Sequence, residues 1–293
     1  MASWFRFFLR RLRSWRYRHR CELISKQIDT ALWKHDLTSA LEGLEQQLHL
    51  DCSQYVERLL FERNSRPKSF RFCLDLFMGM SVMSRLRDHH QFYLVIAASH
   101  VALRLDDVAC LFQLRQRLVD LACINGASVK VLNRRGRNRE HPFKRLISAR
   151  SCLLQVELRD KNVSSCLHIA FRNLDLLETL RWGDLPPDVL LRSTTNLVKS
   201  ILPCCLIAQQ RQRVQASLLQ LEQWISKDCF DEFRRLAKED HLAYLCIVLD
   251  WLEAVKIEGE SIELLEQLRS LLPSNDAPAV LAGCQRLAWI AEV

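Results

Sequence analysis

From residue 21 onward, apolar residues recur every three or four positions in blocks of roughly 12–20 residues, separated by short polar segments. This spacing places the apolar side chains along one face of an α-helix, so the pattern predicts a succession of amphipathic helices. Glycine and proline occur only seven times each, which also favours helix over strand. The predicted helices lie near 21–34, 37–49, 51–63, 68–86, 89–104, 106–123, 142–159, 162–181, 187–208, 210–226, 229–238, 240–256, 260–272 and 277–291.

The polar segments between these helices carry helix start and stop signals. Pro186 and Pro187 predict a helix with proline in its first turn, and Pro203 predicts a kink or break inside an apolar stretch. The longest segment, 124–141, contains an Asn-Gly turn signal. We therefore predict a basic amphipathic arm at 1–20, a helical-hairpin lobe at 21–123, a basic linker loop at 124–141, and a second helical lobe at 142–293, either separate from the first or continuous with it.

Amphipathic helices joined by short segments pack as antiparallel hairpins, and a run of hairpins forms an α-solenoid or an irregular helical array. In the segment LTSALEGLEQQLHLD, Ala40 occupies a small packing position, Leu44 a large apolar one, and Leu48, Leu50 and Asp51 close the unit. Together with the preceding helix, residues 21–54 resemble a tetratricopeptide-like helical hairpin. This resemblance implies an all-α fold of stacked antiparallel hairpins and binding of peptide carboxylates.

The first twenty residues contain seven arginines, six aromatic residues and no acidic residue. In a helix, Trp4, Phe5, Phe8, Leu9, Leu12 and Trp15 fall in one arc, whereas Arg6, Arg10, Arg13, Arg18 and Arg20 fall in the opposite arc. Such a helix suits the surface of an anionic membrane, because its aromatic rings insert at the headgroup boundary while its arginines attract anionic lipid. The predicted membrane or anionic-surface residues are Trp4, Phe5, Arg6, Phe8, Arg10, Arg13 and Trp15. The alternatives are docking onto the body of the protein, including its acidic C-terminal third, binding of nucleic acid or another acidic partner, and an organellar transit peptide.

A second basic cluster lies between residues 130 and 150. The net charge of +8 is concentrated there and in residues 1–20, each region carrying +7, so that the remaining residues sum to −6. Arginine forks match phosphate oxygens, and a helix N-terminus adds partial positive charge. We therefore consider phosphate or RNA-backbone binding here, against the alternative of a solvated loop. The residues concerned are Arg134, Arg135, Arg137, Arg139, Lys144 and Arg145.

The sequence contains no complete catalytic, metal or nucleotide motif. GxSxG, GxxxxGK and GxGxxG are absent, and the twelve cysteines include no CxxC pair, so we expect buried, reduced thiols and neither metal nor cofactor. Asp106 and Asp107 are expected to cap a helix, and the histidines at 89, 90 and 100 to have surface or capping roles. There is no apolar run of 18 residues to span a membrane.

These observations favour a cytoplasmic, non-catalytic helical-repeat interaction or scaffold protein. Its helical surfaces would bind protein partners, and its arm would attach it peripherally to an anionic membrane or acidic surface. One alternative is an RNA-binding helical protein that uses both arginine-rich patches. A second is an all-α enzyme whose acids or histidines converge from distant helices. No small-molecule substrate is indicated.

Overall fold

The computed structural model describes residues 2–50, 56, 69–122, 141–180, 185–228, 239–254, 264, 267 and 268, and within these the side chains of 11–50, 56, 69–122, 141–180, 185–225, 245–253, 264, 267 and 268. The described residues form ten α-helices and no strand, which confirms the predicted all-α class. The helices are α1 (Ala2–Lys34), α2 (Leu37–His49), α3 (Phe70–Ser81), α4 (Asp88–Leu105), α5 (Val108–Ala122), α6 (Pro142–Arg159), α7 (Val163–Thr179), α8 (Pro187–Ile201), α9 (Ala208–Asp228) and α10 (Glu239–Ala254).

The largest difference from the predicted elements lies at the N-terminus. The predicted arm and the predicted helix 21–34 form a single helix of 33 residues, α1. Residues 2–34 contain no glycine or proline. The backbone hydrogen bonds of the helix therefore continue through residues 20 and 21, where the charge pattern changes. The break predicted at Pro203 is present: α8 ends at Ile201, and a 3₁₀-helix over Leu202–Leu206 follows it.

Three helix pairs are joined by corners that share one two-residue motif: α1 to α2, α4 to α5, and α6 to α7, where Asp160 precedes the motif. The first residue of the motif has a left-handed backbone, with φ of 56° at His35, 54° at Asp106 and 56° at Lys161. The second residue donates its backbone N–H to the carbonyl five residues earlier, and its side chain accepts a hydrogen bond from the third residue of the next helix. These second residues are Asp36, Asp107 and Asn162.

Two compact units divide the described residues, the first ending at Val101 and the second beginning at Ala102. The division therefore assigns 102–122 to the second unit, whereas the sequence places them in the first lobe. Most of the predicted linker loop, 124–141, lies outside the described residues.

In the first unit, α1 and α2 pack as an antiparallel hairpin. Its core contains the residues that carry the tetratricopeptide resemblance, with Ala40 and Leu44 fully buried and Leu48 almost so. Gly43 on α2 has no side chain, and a Cβ there would lie 2.6 Å from Cγ1 of Ile28 on α1. Because a β-branched side chain has little freedom to move aside, this glycine permits the close approach of the two helices.

The second unit is built around α8, in which 13 of 15 residues are buried. This helix packs against α6, α7 and α10. The surrounding apolar cluster extends from Phe143 at the start of α6 to Leu268. The unit therefore has one continuous core among the residues described.

Candidate anionic-surface interface

The C-terminal half of α1 is anchored on α2. Gln47 Nε2 on α2 donates hydrogen bonds to the carbonyl oxygen of Cys21 at 3.0 Å and to Ser25 Oγ at 2.8 Å. Tyr17 Oη donates to the carbonyl oxygen of Leu50 at 2.8 Å, just beyond the end of α2. Helix α1 then continues for 15 residues on the N-terminal side of Tyr17, or about 22 Å at ~1.5 Å per residue.

The side of α1 that contacts α2 is opposite the apolar arc predicted for the arm. Ile24, Ile28 and Leu32 face α2 and are at most 5% exposed. At 100° per residue, positions 12 and 15 lie about 150° from the mean direction of those three residues. Leu12 and Trp15, the two members of that arc whose side chains are described, are therefore directed away from α2.

Most side chains of α1 between residues 11 and 20 are exposed. Trp15 is 62% exposed, and its ring stacks on that of His19 with the centroids 5.4 Å apart. Arg11, Arg13, Arg16, Arg18 and Arg20 are all exposed, and within the described part of the chain none of them forms an ion pair with a carboxylate. The helix therefore presents a strongly positive surface around an exposed indole ring.

Arginines of the second unit provide a contrast. Arg213 bonds to Asp175 and Glu178, and Arg159 bonds to Asp106 and Asp160. The hydrogen bonds that both guanidinium groups donate to these carboxylates raise their pKa above the ordinary value. These two arginines are therefore paired within the second unit, whereas the five arginines of α1 form no ion pair among the described residues.

No family model, curated protein or solved structure matches the chain.

The other predicted residues of the arm lie within α1, but their side chains are outside the described residues; these are Trp4, Phe5, Arg6, Phe8 and Arg10. Of the predicted set, Arg13 and Trp15 have described side chains, and both are exposed. The geometry therefore supports an interface at the end of the arm nearest to α2.

The second predicted basic cluster is only partly described. Arg134, Arg135, Arg137 and Arg139 lie outside the described residues. Lys144 is 7% exposed on α6, and Arg145 is half-buried. Lys144 is the third residue of α6, and helical spacing turns it toward the interior within the first turn.

A buried polar seam between α6 and α8 was not predicted from the sequence. Ser151 Oγ on α6 donates to Asn196 Oδ1 on α8 at 3.4 Å, and Asp188 at the start of α8 acts electrostatically on His141 at the start of α6. Among the described residues, both ring nitrogens of His141, both amide atoms of Gln155 and Oδ2 of Asp188 have no hydrogen-bond partner.

Metal binding and thiol reactivity depend on the histidines, cysteines and acids of the described residues. Among the described residues, no group of three histidines, cysteines or acids is arranged to hold a metal ion. Burial raises the pKa of the thiols of Cys73, Cys166, Cys204 and Cys205 to about 12, so they remain protonated and pack as small apolar groups.

Asp107 caps α5 as predicted, whereas Asp106 has the left-handed backbone and pairs with Arg159. The surface or capping role predicted for the histidines of α4 is wrong for His90 and His100, which are at most 3% exposed. Both lie on a helix whose neighbouring residues are largely buried, so their position in the core is set by packing. None of the described helices combines the length and the apolar character needed to cross a bilayer.

Proposed function

We propose that this protein is a non-catalytic helical interaction protein that attaches peripherally to an anionic membrane surface through α1. The observation that carries the proposal is a group of five exposed arginines on the segment of α1 that also carries the exposed Trp15, with Arg11 and Arg18 nearest to the ring around the helix axis. This helix is anchored to α2 by hydrogen bonds of Tyr17, Gln47 and Ser25. An indole ring favours the headgroup boundary, and each arginine near anionic lipid contributes about 1 kcal/mol.

The helical body supplies surfaces for protein partners. Short corners join consecutive helices, so that neighbouring helices present adjacent faces for binding. On α5, Val108 and Phe112 are one turn apart, and they are 61% and 77% exposed. Exposed apolar side chains of this kind favour contact with another protein, while α1 localises the molecule.

The test is binding of the full chain to phosphatidylcholine vesicles with and without phosphatidylserine, across a salt series. The variant replaces Arg11, Arg13, Arg16, Arg18 and Arg20 with glutamine. We expect tight, salt-sensitive binding to the anionic vesicles, and a loss of about three orders of magnitude in the variant at low salt. The matched control replaces the same five residues with lysine, which preserves the charge and should retain most of the binding.

The same proteins are titrated with single-stranded RNA under the same salt conditions. If the full chain binds RNA tightly and its affinity for vesicles does not depend on phosphatidylserine, the partner of α1 is nucleic acid and not a membrane. Equal binding to the anionic vesicles by the full chain and its glutamine variant would overturn the proposal, because the arginines would then contribute nothing.

A further inference from the structure

The exposed side of α1 does not end with the arm. Trp33, in the last turn of the helix, is 67% exposed, compared with 62% for Trp15. These two residues are 18 positions apart, which corresponds to five turns at 3.6 residues per turn and to about 27 Å along the axis. Their indole rings therefore leave the helix in the same direction.

Leu23 adds an apolar side chain between the two tryptophans. It is 49% exposed and lies within about 80° of both tryptophans around the helix axis. Directly behind it, Ile24 and Ile28 are buried against α2. One side of α1 thus forms the hairpin core, and the other exposes Trp15, Leu23 and Trp33 among polar and charged residues.

We infer that the membrane-binding face of α1 extends from Trp15 to Trp33, so that the helix lies in the plane of an anionic bilayer over this whole length. The inference depends on the proposed function and specifies its contact surface. Two tryptophans on one side of a rigid helix reach the same headgroup plane together, as in interfacial helices that lie parallel to a membrane.

Charge complementarity selects an anionic bilayer as the occupant of this face. Arg11 and Arg18 lie within about 60° of the line joining the two tryptophans, on one side of it, and Arg16 lies on the other. Long basic side chains in these positions extend to lipid phosphates while the rings insert. Glu22 and Asp29 also lie within about 40° of this line, and Lys26 offsets one of the two negative charges through its i,i+4 spacing from Glu22. The positive charge of this face is therefore concentrated at its Trp15 end.

This arrangement also orients the hairpin. Since α2 packs on the side of α1 opposite the two tryptophans, a bilayer on the tryptophan side leaves α2 facing the aqueous phase. Membrane contact at both ends of a 27 Å line restricts rotation of the helix more than contact at the arm alone. The attached unit would therefore have a defined orientation relative to the membrane.

The test compares Trp15→Ala, Trp33→Ala and Val82→Ala in the full chain, by partition onto phosphatidylserine-containing vesicles. Val82 is the control, because it is an apolar residue, 71% exposed, that follows α3 and does not lie on α1. Partial burial of one ring is worth about a factor of ten in partition, so we expect about tenfold weaker binding for each tryptophan variant and no change for the control. Far-ultraviolet circular dichroism confirms that each variant keeps its helical content.

A second readout uses vesicles with brominated acyl chains, which quench tryptophan fluorescence at the headgroup boundary. Quenching by these vesicles should decrease in both Trp15→Phe and Trp33→Phe. If Trp15→Ala weakens binding but Trp33→Ala does not, and Trp33→Phe leaves the quenching unchanged, the extended face is wrong and the arm alone binds. If the unaltered chain has no affinity for anionic vesicles, the proposed function itself is wrong.

Discussion

Arg115 on α5 donates two hydrogen bonds to the carboxylate of Glu157 on α6, from Nε to Oε1 at 2.6 Å and from Nη2 to Oε2 at 2.9 Å. Asn162 Nδ2 donates to the same Oε2 atom at 2.7 Å, and its own side-chain oxygen caps α7. The Glu157 side chain is 1% exposed and that of Arg115 is 38% exposed. One buried carboxylate therefore links α5, α6 and the corner that leads into α7.

This asymmetry of exposure predicts unequal effects of removing each partner. Arg115→Ala leaves a buried carboxylate with Asn162 as its remaining side-chain donor, so we expect the free energy of unfolding to fall by about 3 kcal/mol. Glu157→Gln leaves an arginine that already reaches water, and the cost should be about half as large. Urea unfolding of the full chain measures both values.

The double variant with Arg115→Ala and Glu157→Gln is the control for this explanation. Removal of the buried charge should make it more stable than Arg115→Ala alone. If the double variant is less stable than either single variant, the cost arises from lost packing and the electrostatic explanation is wrong.

The repeated corners predict two stabilising substitutions. His35 and Lys161 adopt left-handed backbone angles that cost an L-residue with a side chain about 1–2 kcal/mol and cost glycine almost nothing. Lys161→Gly should therefore raise the free energy of unfolding by about 1 kcal/mol, after allowance for the greater freedom of glycine in the unfolded chain. His35→Gly should raise it by less, because it also removes the stacking of the His35 ring on Phe72, with the centroids 5.0 Å apart. Thermal and urea unfolding provide the measurements.

Asp106 offers the comparison for this prediction, because it has the same backbone conformation but also an ion pair with Arg159. In Asp106→Gly, the relief of backbone strain is offset by the loss of this ion pair, so we expect little net change in the free energy of unfolding. A destabilisation of His35→Gly or Lys161→Gly comparable to that of a helix-interior glycine would contradict the role assigned to the corner.

Local signals explain why some elements were predictable. Helices α2 and α6 begin and end where the sequence predicts, because Asp36 caps one and Pro142 opens the other. The predicted boundary near residue 20 was wrong because a change in charge does not interrupt backbone hydrogen bonds. The exposure of Trp33 was also missed, since it becomes evident only when α1 is continuous and its contact side with α2 is known.

Tertiary packing explains what the sequence pattern could not predict. Helix α8 contains Thr195, Asn196 and Lys199, polar residues that would ordinarily mark a solvent-facing side, yet all three are buried. Their burial depends on α6 and other neighbours, whose positions are not encoded in the local period. The left-handed corner residues His35 and Lys161 were missed for a simpler reason, because neither is glycine or asparagine.

The buried imidazole of His141 predicts how stability depends on pH. Burial lowers the pKa of His141 below its ordinary value of 6.5, and the charge of Asp188 opposes that shift only in part. The unfolded chain therefore binds the proton more readily than the folded protein, so the free energy of unfolding should fall as the pH drops from 7.5 to 5.5, by at most ~1.4 kcal/mol per pH unit from this group. His141→Gln should flatten this part of the profile, whereas His168→Gln, at an exposed position on α7, should leave it unchanged. The measurement is urea unfolding at pH 5.5, 6.5 and 7.5, and identical pH profiles for the unaltered chain and His141→Gln would show that this imidazole does not control the response.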